Sequence, residues 1–150
     1  YQFVGKVERA VDAPVRVSPG ISSLQIAASR ARTPIEDSEF VTLHKSGGLD
    51  ADLDRLVAAA GDRHLLVLPR PFDWMPGDVA ALLVDSGADP GLDALVCERL
   101  THDDEQITRT TISDLQTSAG GGDRDSTPYS DLSVLVVRAA DPEANGETDR

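Results

Sequence analysis

Two short runs, HLLVL at His64–Leu68 and LSVLVV at 132–137, are almost continuously apolar. A strand without polar alternation has no face to give to water, so both runs require a sheet that is covered on each side. The stretches between the apolar runs supply the covers. Leu49, Leu53, Leu56, Val57 and Ala60 form one stripe over 50–60, and Val79, Leu82 and Leu83 form another over 76–86, spacings that predict amphipathic helices. A third helix is predicted over 23–32, and one at the N-terminus places Phe3, Val4, Val7 and Val11 on a single face. Further strands are predicted at 14–18, 39–43, 94–100, 106–110 and 132–138 from their Val, Ile, Leu and Thr content. End signals agree with these limits. Asp50 and Asp52 complement the positive end of their helix, Pro76 suits a first turn, and Gly61 and Gly87 stand where C-terminal caps belong. Strands alternating with helices predict an α/β layer structure, with an antiparallel edge from the close pair 94–100 and 106–110. The expected fold is a mixed, mostly parallel sheet flanked by helices.

At 150 residues the chain can bury roughly 70% of its unfolded surface in a single core. No apolar run approaches the about 20 residues that span a bilayer, and YQFVGKVERAV lacks the basic flank and apolar stretch of an export signal. No membrane partner is expected. Cys97 stands alone between apolar neighbours in LVCERL, so no disulfide can form within the chain and a buried thiol in a reducing cytoplasm is expected. The charge is lopsided: 14 Lys plus Arg against 26 Asp plus Glu, a net charge of −12. Such a surface repels phosphate backbones, which argues against nucleic acid. It also repels itself, a cost that salt screens, so a halophilic protein is expected. The stretch 117–129, TSAGGGDRDSTPY, and the acidic tail 139–150 combine glycine, charge and few apolar residues. The first is expected to be mobile and the tail disordered.

Functional signal concentrates in VRVSPGISSLQIAA, residues 15–28. Here a β-branched run breaks at Pro19-Gly20, and a helix starts behind Ser22 and Ser23. Ser22-Ser23-Leu24-Gln25 fits a capping box worth about 1 kcal/mol, which is a complete structural account. The Pro-Gly corner equally lets an anionic or polar ligand approach backbone amides at the positive end of a helix. Both readings stand on local physics.

Other positions divide in the same way. His44, in VTLHKSGG, follows a strand end and precedes two glycines, where open α/β sheets place functional loops; an exposed loop histidine is the plainer account. Arg70, in LPRPFDWM, ends a strand beside Phe72 and Trp74. It could pair with a ligand carboxylate, while the aromatics flank a flat ligand or close the core. His64 and His102 have no partner at a metal-ligand spacing, and His102-Asp103-Asp104-Glu105 reads as a solvated acidic turn. No metal is expected. Neither a Gly-x-Ser-x-Gly elbow nor a Gly-x-Gly-x-x-Gly behind a strand is present. A hydrolase built on Ser22 and His44 and a self-contained dinucleotide site therefore lack support.

Taken together, VSPGISSLQIAASRART, VTLHKSG, LLVLPRP, CERLTHDDEQITRTTISDL and SDLSVLVV resemble the tetrapyrrole methylases of cobalamin biosynthesis over about residues 1–138. Within them the likeness is to the branch that acts on carbon 5 of cobalt-precorrin-7 and on precorrin-6Y. It implies two α/β domains with S-adenosylmethionine in the cleft between them, and methyl transfer to a ring carbon of a corrinoid. Members carry a Gly-rich loop and a Gly-Asp-Pro turn in the first domain, which this sequence lacks. Residues 1–12 are then expected to be the end of a missing N-terminal domain, and 13–138 the C-terminal domain, inactive by itself.

The same likeness assigns cofactor contacts: Pro19, Gly20, Ile21, Ser22 and Ser23 in a turn facing the cleft, Leu68 and Pro69 at a strand end beside the donor, Leu100 and Thr101 on the adenine side, and Ser130, Asp131 and Leu132 leading into the last strand. His44 and Arg70 fall to the substrate, although members read His-Gly-Arg where this chain has His44-Lys45-Ser46. No catalytic residue is implied, since in-line displacement needs alignment above all. A cytoplasmic homodimer is the implied assembly. The rival is a non-catalytic acidic α/β binding or assembly module, in which PGISS is only a cap.

Overall fold

The computed structural model describes residues 2–120 and 127–141. Its elements follow in the order α1 (Gln2–Ala10), α2 (Ser23–Ala31), β1 (Ser38–Thr42), α3 (Asp50–Ala59), β2 (His64–Leu68), α4 (Pro76–Asp85), β3 (Asp93–Glu98), β4 (Gln106–Thr111), α5 (Ile112–Leu115) and β5 (Ser133–Val137), with a 3-10 turn at Gln116–Ser118 after α5. All the anticipated helices are present. Their ends follow the local chemistry: Pro76 opens α4, and Gly61 and Gly87, with φ of 87° and 94°, take the left-handed turns that follow α3 and α4.

The strands form one sheet in the order β1-β2-β5-β3-β4. It is mixed and helix-flanked as expected, with β3 and β4 forming the antiparallel edge, but it is not mostly parallel. β1 pairs parallel with β2, while β2–β5, β5–β3 and β3–β4 are antiparallel. The position of β5 is the reason. β1, β2 and β3 share a direction, as their helical connections require, yet the last strand enters between β2 and β3 from the opposite side.

Side-chain alternation then gives the sheet two buried faces. Leu65, Val67, Val96, Leu135 and Val137 meet Leu56, Val79, Leu83, Ile112 and Leu115 from α3, α4 and α5. On the other face Leu66, Leu95, Cys97, Val134 and Val136 meet Ala27, Ala28 and Ala31, so among the described helices α2 alone covers it. Every side chain of β5 is buried, as its apolar run requires. Burial pushes the Cys97 thiol up to about 11, so it is inert packing.

Residues 14–18 are not a strand. Val15 and Val17 alternate as a strand would, but Pro14 and Pro19 bracket the run and withhold their N–H groups, and it has no ladder partner among the described residues. Residues 117–120 are ordered rather than loose. Thr117 Oγ1 donates to the Asp114 carbonyl (2.7 Å), and the Gly120 N–H donates to Asp78 Oδ1 (2.8 Å). Gly77 permits this approach, because a Cβ there would lie 2.5 Å from Ser118 Oγ. The first residues of the acidic tail are also tied down, Ala139 N–H to His64 Nδ1 and Ala140 N–H to the Gly61 carbonyl, each at 2.9 Å. Residues 121–126, expected to be mobile, and 142–150, expected to be disordered, lie outside the described residues. Among the described residues no helix is long and apolar enough to cross a membrane.

Candidate functional site

A cleft of about 610 Å³ opens where β1, β2 and β3 end and β5 begins. Its position outside the carboxyl ends of the strands is where open α/β sheets take ligands, and its volume suits a small molecule. Ser23, in the first turn of α2, forms one wall. His44, Leu68 and Pro69 follow the ends of β1 and β2. Asp131 and Leu132 lead into β5, whose Ser133 and Val134 complete that side. The opposite wall is the β3–β4 connection, with Arg99, Leu100, His102 and Asp104.

That connection is strained. Arg99 has φ 48° and Thr101 φ 69°, left-handed conformations that cost about 1–3 kcal/mol each without glycine and are worst for a β-branched residue. Charged side chains hold it. Arg99 Nε reaches the Asp104 carbonyl (3.1 Å) and carboxylate (2.8 Å). The Thr101 N–H donates to Glu105 Oε2 (2.7 Å), and Glu105 also pairs with Arg30 of α2, Nε to Oε1 at 2.8 Å. Arg30 and the Thr101 amide together keep the Glu105 carboxyl below the usual range. At the start of β5, buried Glu98 accepts the Ser130 N–H (2.8 Å). Burial, with Glu98 nearby, raises the pKa of the Tyr129 phenol. Ser133 Oγ is buried and has no hydrogen-bond partner among the described residues; two positions from Leu135, it turns to the face of the sheet that α3, α4 and α5 cover.

Of the residues singled out from sequence, Ser23, His44, Leu68, Pro69, Leu100, Asp131 and Leu132 line this cleft. The rest lie elsewhere. Ser22 is occupied by the capping box, its Oγ accepting from Leu24 N–H and its own N–H donating to Gln25 Oε1, both at 3.3 Å. Pro19, Gly20 and Ile21 precede the cap on an exposed corner, with Ile21 80% exposed and open space around Gly20. The Thr101 amide is taken by Glu105. Ser130 lines a smaller hollow of about 200 Å³ with Phe72, Met75 and Tyr129, adjoining the cleft at Asp131. Arg70 is not a cleft-lining residue; its guanidinium grips Asp73 through Nε (2.8 Å) and Nη2 (2.5 Å). That pairing raises the pKa of the arginine and lowers that of the aspartate.

Sequence reasoning missed Arg99, His102, Asp104 and Ser133 as cleft residues. His102 to Glu105 is more than a solvated acidic turn, since two members line the cleft and a third braces it. No spacing signal separates them from ordinary loop charges. Among the described residues no group of His, Cys, Asp or Glu is placed to hold a metal ion.

A family model described as Tetrapyrrole (Corrin/Porphyrin) Methylases matches residues 3–116. Among solved structures, the methyltransferase CobJ aligns with a TM-score of 0.62 at 19% identity, over 93% of this chain and 56% of its own. The uroporphyrin-III C-methyl transferase from Thermus thermophilus, complexed with S-adenyl homocysteine, aligns at 0.62 and 19% over 91% and 55%. The precorrin-6Y methylase from Archaeoglobus fulgidus aligns at 0.52 and 22% over 92% and 57%. At these identities the likeness is one of fold. The chain spans a little over half the length of each. No curated protein sequence matches it.

Proposed function

The chain belongs to the tetrapyrrole (corrin/porphyrin) methylases, a family of S-adenosylmethionine-dependent methyltransferases, and from that premise we propose that it is the C-terminal half of an enzyme methylating a corrinoid precursor. We assign the acceptor as carbon 5 of cobalt-precorrin-7, on the sequence resemblance to that branch. In this reading 13–138 form one wall of the donor site, residues 1–12 end a first domain that forms the other, and the enzyme works as a cytoplasmic homodimer. Its acidic surface is an adaptation to salt.

The observation that carries the reading is convergence. Seven residues that family resemblance places beside the cofactor or substrate, far apart in sequence, meet at one cleft. The residues present also fit such a donor. Leu68, Leu100 and Leu132 offer apolar surface to a nucleoside. S-adenosylmethionine supplies an activated methyl group for in-line displacement. The protein's contribution is to hold acceptor carbon and methyl in line while excluding water, which needs no acid–base pair. His44 and Arg70 are the proposed contacts for the substrate's carboxylates. Arg70 can serve by exchanging Asp73 for a substrate carboxylate, one bidentate pair for another.

Calorimetric titration of S-adenosylhomocysteine into the full-length protein, followed by turnover with a corrinoid acceptor and localisation of the new methyl by NMR, tests this. Binding and methylation at carbon 5 are expected. Methylation at another ring carbon overturns the branch, and absence of binding overturns the enzyme in favour of a binding or assembly module.

A further inference from the structure

We propose that Glu105, through its pair with Arg30, is a positioning residue that fixes the shape and width of the cleft for the methyl donor; this rests on reading the cleft as the donor site. Two sides of the cleft within this half of the donor site come from distant parts of the chain, α2 and the β3–β4 connection. Glu105 joins them. Its Oε1 takes Arg30 Nε at 2.8 Å, and its Oε2 takes Arg30 Nη2 at 3.2 Å and the Thr101 N–H at 2.7 Å. Arg30 lies in the last turn of α2, the helix whose first turn brings Ser23 to the cleft. Thr101 is the β-branched residue held at φ 69°, next to cleft-lining Leu100.

One carboxylate therefore both holds an unfavourable backbone conformation and tethers it to the facing helix. Stability alone explains the arrangement poorly. The two side chains are 42% and 20% exposed, and exposed ion pairs contribute little to folding. Glu105 makes no contact with the acceptor in this proposal; it acts on the donor through the backbone at Leu100 and Thr101. Loss of the brace lets that backbone relax toward ordinary φ values, out of register with the donor.

The test compares Glu105→Ala, Glu105→Gln, Arg30→Ala and the double variant Arg30→Ala/Glu105→Ala in the full-length protein. Glu105→Ala is expected to weaken S-adenosylhomocysteine binding and raise the KM for S-adenosylmethionine about tenfold, the scale of a lost charge-assisted hydrogen bond. The KM for the corrinoid and kcat should hold near wild type. Glu105→Gln keeps an acceptor for the Thr101 amide and should fall between, and the double variant should be no worse than Glu105→Ala. Thermal melts monitor folding of each variant. Unchanged donor affinity in Glu105→Ala overturns the proposal, as does a loss of active fraction and melting temperature with both KM values unmoved. Failure of the wild type itself to bind S-adenosylhomocysteine overturns the donor-site reading, and this proposal with it, before any variant is compared.

Discussion

The two faces of the sheet are filled by opposite means. On one, three helices lay Leu56, Val79, Leu83, Ile112 and Leu115 against Val67, Val96 and Leu135. On the other, α2 presses three alanines onto Leu66, Leu95 and Val136. Large side chains interlock across a wide gap, whereas alanines bring a helix backbone close to the strands. The first arrangement buries most apolar area and so holds most stability. The second spends little volume, and its close approach delivers the first turn of α2 to the cleft and its last turn to Glu105. Stability and site placement are thus divided between the faces.

Removing volume should hurt one face, and adding it should hurt the other. Leu83→Ala, at a fully buried position under α4, is expected to lower unfolding free energy by about 2–5 kcal/mol in denaturant titration. Donor affinity of the surviving folded protein should not change. Ala27→Leu is expected to cost less, about 1–3 kcal/mol from overpacking, but by lifting α2 it should also weaken S-adenosylhomocysteine binding. Equal effects of the two substitutions on affinity would erase the distinction between the faces. Ser22→Ala is smaller again. It removes the hydroxyl that caps α2 and should cost about 1 kcal/mol, with affinity falling only if the cap also orients Ser23.

What could be read from the sequence and what could not follows from the reach of each signal. The apolar runs of β2 and β5, the Pro76 start of α4, the glycine turns and the Ser22 cap are set by residues a few positions apart, so periodicity and capping chemistry expose them. Strand order is not local. Nothing in LSVLVV says that it lies between β2 and β3, whereas Pro14 and Pro19 beside VRV are a local sign against a strand there. The cleft divides along the same line. Asp73 lies three residues from Arg70, so its claim on the guanidinium is a local signal that the sequence does carry. Arg30 and Glu105 are 75 positions apart, and their pairing leaves no mark in either segment. Left-handed backbone at Arg99 and Thr101 is invisible because neither residue is glycine.

The weakest expected effect lies at the end of the sheet opposite the cleft, and it tests whether that end is independent of the site. His64 Nδ1 accepts the Ala139 N–H at 2.9 Å, which requires an unprotonated nitrogen. Burial lowers the pKa of the imidazole, and nearby Arg138 lowers it further against the opposing pull of Asp37. A histidine whose folded pKa lies below its unfolded value of about 6.5 binds its proton more readily once the chain unfolds. Its stabilising contribution is therefore complete above that value and is lost as pH falls through the folded pKa. The paired carboxylates Asp73 and Glu105 have lowered values, so their loss comes at more acid pH and leaves the histidine window readable. Between pH 7 and pH 5 the melting temperature should fall slightly further in wild type than in His64→Gln, whose side-chain oxygen can accept the same amide without titrating. Donor affinity should not differ between the two proteins over that window. Equal slopes would mean that solvent, rather than His64, satisfies the Ala139 amide. A difference in affinity would mean that β2 transmits strain along its length, and that the two ends of the sheet are coupled.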